Sequence, residues 1–412
     1  MCYKLNFGIQ TFRLWIFVGF PFFFATALVS VIARGQDPHF SQFFANRVYL
    51  NPAYAGFDPG GAVTVNYREQ WFGLSGGENR NFGSGFRTFN VTTDIQAPCF
   101  LRFDRANMGF SISAFRDEAG GAPLATHGLS LAMSHERALI ASKGAGRLRR
   151  LDLRAGLQIQ YGQQSLDANY LLYSDLLDPV IGLVSNPLTV RLRSNFYPLM
   201  NAGILLRGNY RRNKDRDALF TLGVQMANIN EPLVSLFEPG TSGSIPQRIT
   251  FHGGFTARVP SYKGTSGSLY LSPQFRWDRQ LENRLNLQTI GTYLFSSGFF
   301  SGIFLQYNFR NEAPPPEIPI WGGFIQRNTT TLIFHTGIDL RSTFDNGKPW
   351  RKRETGTVLG FSYDFNLTGL NQQTTLGVFE VSLSTRFGKQ QAKSCGELGQ
   401  FELYKGKCPV RF

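Results

Sequence analysis

The sequence predicts an all-β fold: a transmembrane, antiparallel, up-and-down β-barrel of about 14 strands, preceded by a cleaved signal peptide. Three observations predict it. Only 17% of the 412 residues are charged while 14% are aromatic, whereas soluble domains carry roughly 25% charge. Mean hydropathy is −0.16, too polar for a bundle of membrane helices. Apolar and polar residues alternate with period two along most of the chain, as strands with one lipid-facing and one lumen-facing side require.

Residues 1–35 read as a leader. Lys4 and Arg13 give a basic start, Leu14 to Ile32 is apolar, and small residues stand at Ala33 and Gly35. That order is the grammar of a secretory signal peptide, with cleavage before Gln36. The apolar run, about 19 residues, would also serve as a single membrane anchor. Pro21 and the small-residue ending favour removal. No later stretch is apolar for long enough to cross as a helix.

The formal charge is +14, and Lys4, Arg13 and Arg34 leave with the leader. A basic balance suggests nucleic acid, but an exported chain meets none, which leaves anionic partners and outer-membrane lipid. Of the four cysteines, Cys2 leaves with the leader and Cys99 has no counterpart. Cys395 and Cys408 lie in the polar tail and can bridge in an oxidising compartment, closing a loop worth about 3 kcal/mol in the chain-entropy model. Two free thiols are the other reading.

The barrel is expected over 63–388, with a tail at 389–412. The clearest strand sets Leu151, Leu153, Ala155, Leu157, Ile159 and Tyr161 against Asp152, Arg154, Gly156, Gln158 and Gln160. Strands are expected near 63–71, 87–96, 107–115, 127–136, 151–162, 200–207 and 219–227. They continue near 249–259, 269–277, 284–295, 300–309, 331–341, 357–366 and 376–387. Most have the length a tilted strand needs to span a bilayer. The last presents Phe379, Val381, Leu383 and Phe387 on one face and Glu380, Ser382, Ser384 and Arg386 on the other. It has to meet the first strand, because an open edge in hydrocarbon leaves unpaired backbone groups.

If both termini are periplasmic, the odd-numbered connections (72–86, 116–126, 163–199, 228–248, 278–283, 310–330, 367–375) face outward, together about twice as long as the inward ones, as long outer loops and short inner turns require. The 163–199 loop is long enough to cap the barrel or present a contact surface. The inner turns carry basic clusters. One holds Arg147, Arg149 and Arg150, a second Arg211 and Arg212, a third Arg351, Lys352 and Arg353. They suggest a periplasmic collar for an acidic partner, or solvated turns touching lipid head groups.

Catalytic signatures are missing. There is no GxSxG, HExxH or GxxxxGK. His252 and His335 fall on polar strand faces and His135 on an apolar one. No enzyme activity, cofactor or metal is expected.

At the mature N-terminus the chain reads QDPHFSQFFANRVYLNPAYAG, Gln36 to Gly56. This run resembles the signature of the PorP/SprF family, outer-membrane proteins associated with type IX secretion in Bacteroidota. Similarity continues at NYREQWF (66–72), FRDEAGG (115–121), GLQIQYGQQSLD (156–167), NINEPLVSLF (228–237), LGFSYDFN (359–366), GVFEVSLSTRFG (377–388) and CPVRF (408–412). The resemblance implies a non-enzymatic part in type IX secretion or in gliding motility that depends on it. Family members help a secreted client with a C-terminal sorting domain, such as a cell-surface adhesin, to be exported or held. The implied partners are that client, other secretion components and periplasmic lipoproteins. FSQFF departs from the family, where tyrosine pairs are common.

The residues of 36–62 carry their own reading. Asp37, Pro38, Phe40, Ser41, Gln42, Phe43, Tyr49, Asn51, Pro52, Tyr54 and Gly56 do not alternate strictly, and Asn51-Pro52 favours a turn. So many aromatic rings want a surface to pack on. Two outcomes fit: a plug inside the barrel, favoured because this many strands enclose a lumen, or a contact for a partner at the periplasmic mouth.

Overall fold

The computed structural model describes residues 37–58, 60–71, 86–98, 106–119, 124–141, 148–167, 177–178, 182–183, 191–213, 216–236, 243–259, 269–280, 285–296, 299–308, 330–340, 356–367 and 376–387. Fourteen long strands run through them: β1 (Gly61–Gln70), β2 (Phe86–Pro98), β3 (Ala106–Ala119), β4 (Leu124–Ala141), β5 (Leu148–Asp167), β6 (Tyr197–Asn213) and β7 (Arg216–Ala227). The circuit continues with β8 (Arg248–Val259), β9 (Leu269–Gln280), β10 (Leu285–Ser296), β11 (Phe299–Asn308), β12 (Thr330–Asp339), β13 (Gly356–Asn366) and β14 (Val378–Phe387).

Each strand pairs antiparallel with its sequence neighbour, and β14 returns to β1 in unbroken register from Gly61↔Phe387 to Gln70↔Val378. The barrel is closed. Closure is what the backbone needs in hydrocarbon, since each unpaired N–H or C=O there costs several kcal/mol. Side chains then sort by parity. On β5, Leu157 is 60% exposed while Arg154, three residues away and on the other face, is 1% exposed. Outside stand Ile112, Leu129, Leu131, Ile159, Ile290 and Ile303; inside stand Asn66, Asp152, Gln158, His252, Asp278 and Glu380. An apolar exterior around a polar interior inverts the soluble arrangement and fits lipid.

All fourteen expected strands are present. β4, β5 and β6 run further than the alternation indicated, because their pairing continues past the stretches of clean alternation. A short ribbon, Arg191–Arg193, lies against Ser165–Asp167, so part of the 163–199 segment is strand and not loop.

The chain ends of the barrel wall, Gly61 and Phe387, meet at one end, called here the turn end. The opposite, loop end carries the longer connections. Residues 37–58 run between them inside the ring. Asp37 sits at the loop end, where its backbone N–H donates to Gln280 and its carboxylate meets Asn228 and Arg248. Asp58 sits at the turn end, against Arg386 at 3.0 Å. Residue 37 therefore stands at the opposite end of the ring from residue 387.

Candidate functional site: the filled lumen

The segment 37–58 is built from short-range turns. Arg47–Leu50 forms a single helical turn. Asn51 then halts it: its side-chain oxygen accepts from Ala53 N–H at 2.9 Å, and Pro52 opens a 3₁₀ turn through Tyr54. Proline suits that position because its missing N–H would lack a helical partner anyway. Gly56 has φ +58°, a conformation L side chains rarely adopt.

Aromatic rings fasten one side. Phe43, Phe44, Leu50, Ala53, Tyr54 and Phe57 share a core with the inward Leu205, Tyr270, Tyr293, Phe295, Phe300, Phe304 and Ile333. Phe44 meets Tyr293 edge-on at 4.7 Å, and Phe43 meets Phe304 at 6.1 Å. His335 stands among Phe44, Tyr293 and Phe304. Edge-to-face pairs of this kind add about 0.5–1.5 kcal/mol each beyond the area they bury.

Polar contacts fasten the rest. Arg154 on β5 donates from Nε to Ala53 O at 2.8 Å and from Nη2 to Ala55 O at 2.7 Å, while Ser134 Oγ on β4 also donates to Ala55 O. Arg154 is itself held by Glu136, which further engages Arg150 and Arg207. Arg207 lies over the Phe57 ring at 4.6 Å. Glu380 on β14 accepts from the backbone N–H groups of Ser41 and Gln42 at 2.8 and 3.1 Å. Arg68 on β1 donates to Ser41 Oγ at 2.6 Å, and Ser41 Oγ donates to Asp364 on β13. Gln42 accepts from Ser382 Oγ and donates to Ser362 Oγ and Glu380 O. Asn51 Nδ2 reaches Ile204 O, Val224 O and His252 Nε2 at 3.1–3.2 Å. Tyr49 OH donates to Pro38 O at 2.6 Å and accepts from Arg248; burial pushes this phenol up to about 12. Burial, then the charges of Arg276, Arg68 and Arg248, hold His39 well below the usual imidazole range.

The wall makes room for the segment. A β-carbon on Gly156 would stand 2.3 Å from Ala53 N, and one on Gly109 would stand 1.9 Å from Ala55 O. Both distances are shorter than atoms tolerate, so these two glycines are imprints of the segment on the barrel.

Every sequence-selected residue of 37–56 lies in this lumen, with Phe40 against Tyr49 at 5.4 Å and Tyr54 against Phe57 at 5.1 Å. The basic clusters fare differently. Arg150 does not join an exposed collar: it faces inward, with Nε 2.7 Å from Asp152 and Nη2 3.3 Å from Glu136. Arg150 shares the parity of Asp152 and Arg154, so period-two alternation carries it to the lumen face. The side chains of Arg211 and Arg212, and residues Arg147, Arg351, Lys352, Arg353, Cys395 and Cys408, lie outside the described residues. Among the described residues no cluster of three or more His, Cys, Asp or Glu is arranged to hold a metal. The wall residues that grip the segment, Arg68, Glu136, Arg154, Arg248, Asp364 and Glu380, were not singled out from sequence. Their signal was charge on the inward parity of strands, where water alone would not require it.

A closed ring, apolar outside and filled with polar side chains, defines a membrane-spanning barrel of the outer-membrane class. The chain belongs to the PorP/SprF family of type IX secretion system membrane proteins, whose family model matches residues 32–385. No curated protein matches it. Among solved structures it is similar to a FadL homologue of Pseudomonas aeruginosa, at 14% identity and TM-score 0.39, with 84% of this chain and 94% of that chain covered. It is similar also to the translocator domain of the autotransporter NalP from Neisseria meningitidis, at 10% identity and TM-score 0.36, covering 90% and 96%.

Proposed function

We propose that this chain is a non-catalytic outer-membrane component of the type IX secretion machinery. In this reading it helps export, or anchors at the cell surface, a client bearing a C-terminal sorting domain, such as an adhesin of the gliding apparatus. Its leader, residues 1–35, directs Sec-dependent export and is removed. The long connections of the loop end face the exterior, as in other bacterial barrels. The turn end faces the periplasm, where the remaining basic residues, Arg147, Arg149, Arg211, Arg212, Arg351, Lys352 and Arg353, meet acidic secretion components or lipoproteins.

The observation that carries this reading is the filled lumen. A barrel whose bore is occupied by its own residues 37–58, gripped by hydrogen bonds to β1, β4–β8, β13 and β14, is suited to holding a partner at its surface more than to passing one through. Family membership supplies the secretion context.

The test is client retention in cells carrying a deletion of residues 168–190 within the long loop. The client is expected to appear in the medium while the barrel still migrates as a folded species before heating. Full retention with this deletion and with a parallel deletion of 309–329 would refute surface anchoring. The competing reading is a pore or transporter for small or hydrophobic molecules. Steady open currents from the purified, intact protein in planar bilayers would favour it, and a silent bilayer counts against it.

A further inference from the structure

Over β12–β14 and β1–β5 the outward surface at the loop end carries two unlike arcs, and cross-strand register shows the contrast directly. One row of neighbours runs Phe334↔Tyr363↔Phe379↔Glu69↔Arg87↔Glu118↔Ala125↔Ser165↔Arg193. The row beneath it runs Phe361↔Val381↔Tyr67↔Phe89↔Arg116↔His127↔Gln163. Over β12–β14 the surface is aromatic. Over β1–β5 it is charged, with Arg87 and Arg116 exposed by 46% and 56% and His127 and Arg193 exposed as well. Directly below these charges, Phe89, Ile112, Leu129, Leu131, Leu157 and Ile159 form a continuous apolar wall.

We propose that the β1–β5 arc binds a phosphorylated glycolipid of the outer leaflet, phosphates on the arginines and acyl chains on the wall below. Arg87 and Arg116 are diagonal neighbours, about 7–8 Å apart by sheet geometry, a spacing that two arginines can span to hold one phosphorylated head. Their carboxylate contacts do not exhaust them. Arg87 meets Glu69 at 3.3 Å and Arg116 meets Glu118, yet a guanidinium has five N–H donors and binds phosphate through a planar fork. Exposed Arg–Glu pairs hold each other weakly, by about 0–1 kcal/mol, so phosphate can share or displace the carboxylate. Arg193 extends the positive row to the ribbon beside β5. The proposal rests on the loop end facing outward and is independent of any client.

The test uses the full-length processed protein purified in detergent, incubated with lipid A and read by native mass spectrometry. Wild type is expected to retain lipid A through detergent exchange. The triple variant R87Q/R116Q/R193Q is expected to retain at least tenfold less, and R279Q, at an exposed arginine of β9 outside the arc, as much as wild type. Equal retention by wild type and the triple variant overturns the proposal, as does equal retention of lipid A stripped of its phosphates. Stronger retention of phosphatidylglycerol than of lipid A, lost in the same variant, also overturns it, by placing the arc against the inner leaflet. Folding of each variant is read from its heat-dependent gel mobility.

Discussion

Single residues decide how firmly the lumen is filled. Arg154 is 1% exposed and joins the wall to two carbonyls of the segment. Arg154→Ala leaves Glu136 with Arg150 and Arg207 but strips Ala53 O of its donor and leaves Ala55 O with Ser134 alone, a loss of about 3 kcal/mol. It is expected as a lower urea midpoint in detergent, with Arg154→Lys restoring only part. Gly156→Val drives a side chain into Ala53 and is expected to cost about 1–3 kcal/mol, read by the same midpoint. His39 sets a pH dependence. Its folded-state value lies below the unfolded one because burial and three arginines disfavour the cation. Stability from this site is thus complete above about pH 6.5 and is lost as pH falls below it, when the unfolded chain takes up a proton that the folded chain refuses. Melting temperature should drop on acidification through that range, and His39→Gln should flatten the drop; an unchanged pH profile in the variant would refute this. At this scale sequence was a partial guide. Asn51-Pro52 announced its turn, and Arg150 shares the parity of Asp152 and Arg154, so period two already placed it inside; reading the basic run as one cluster ignored that phase.

At the scale of elements, the strands were legible and their contacts were not. Alternation such as Leu151 to Tyr161 is imposed by lipid on one side and a wet lumen on the other, so it is written into every membrane-crossing stretch. The ends of β4–β6 continue past the stretches of clean alternation, and their length had no signature. The segment 37–58 lacks period because it packs through turns and rings instead of a face. Its aromatic content showed that it needed a surface, but which wall residues supply it depends on the way the ring brings distant strands together. Glu380 illustrates the point: it grips Ser41 and Gln42 across more than three hundred residues of sequence. Glu380→Ala is expected to speed amide hydrogen exchange at residues 39–45 by at least tenfold. Exchange along Gly61–Gln70, paired on both sides to β2 and β14, should stay slow. Equal acceleration in both regions would mean that Glu380 supports the seam and not the segment.

For the whole molecule, closure and filling are separate properties with separate readouts. The ring is sealed by β14 on β1, and its unheated gel mobility should survive removal of residues 37–58. Filling should not: that deletion is expected to turn a silent bilayer into one with steady ohmic steps, because polar side chains such as Asn66, Asp152, Asp278 and Glu380 would line an aqueous bore. Identical silence in both proteins would show that other parts of the chain shut the passage. The path of the segment also dictates a chronology. A string that enters a hoop at one rim and leaves at the other, with bulky knots along its length, is laid in place while the hoop is still a ribbon. Residues 37–58 leave the ribosome ahead of every strand, and Val378–Phe387 leaves behind them all. Birth order alone therefore has the axle ready before the wheel is joined.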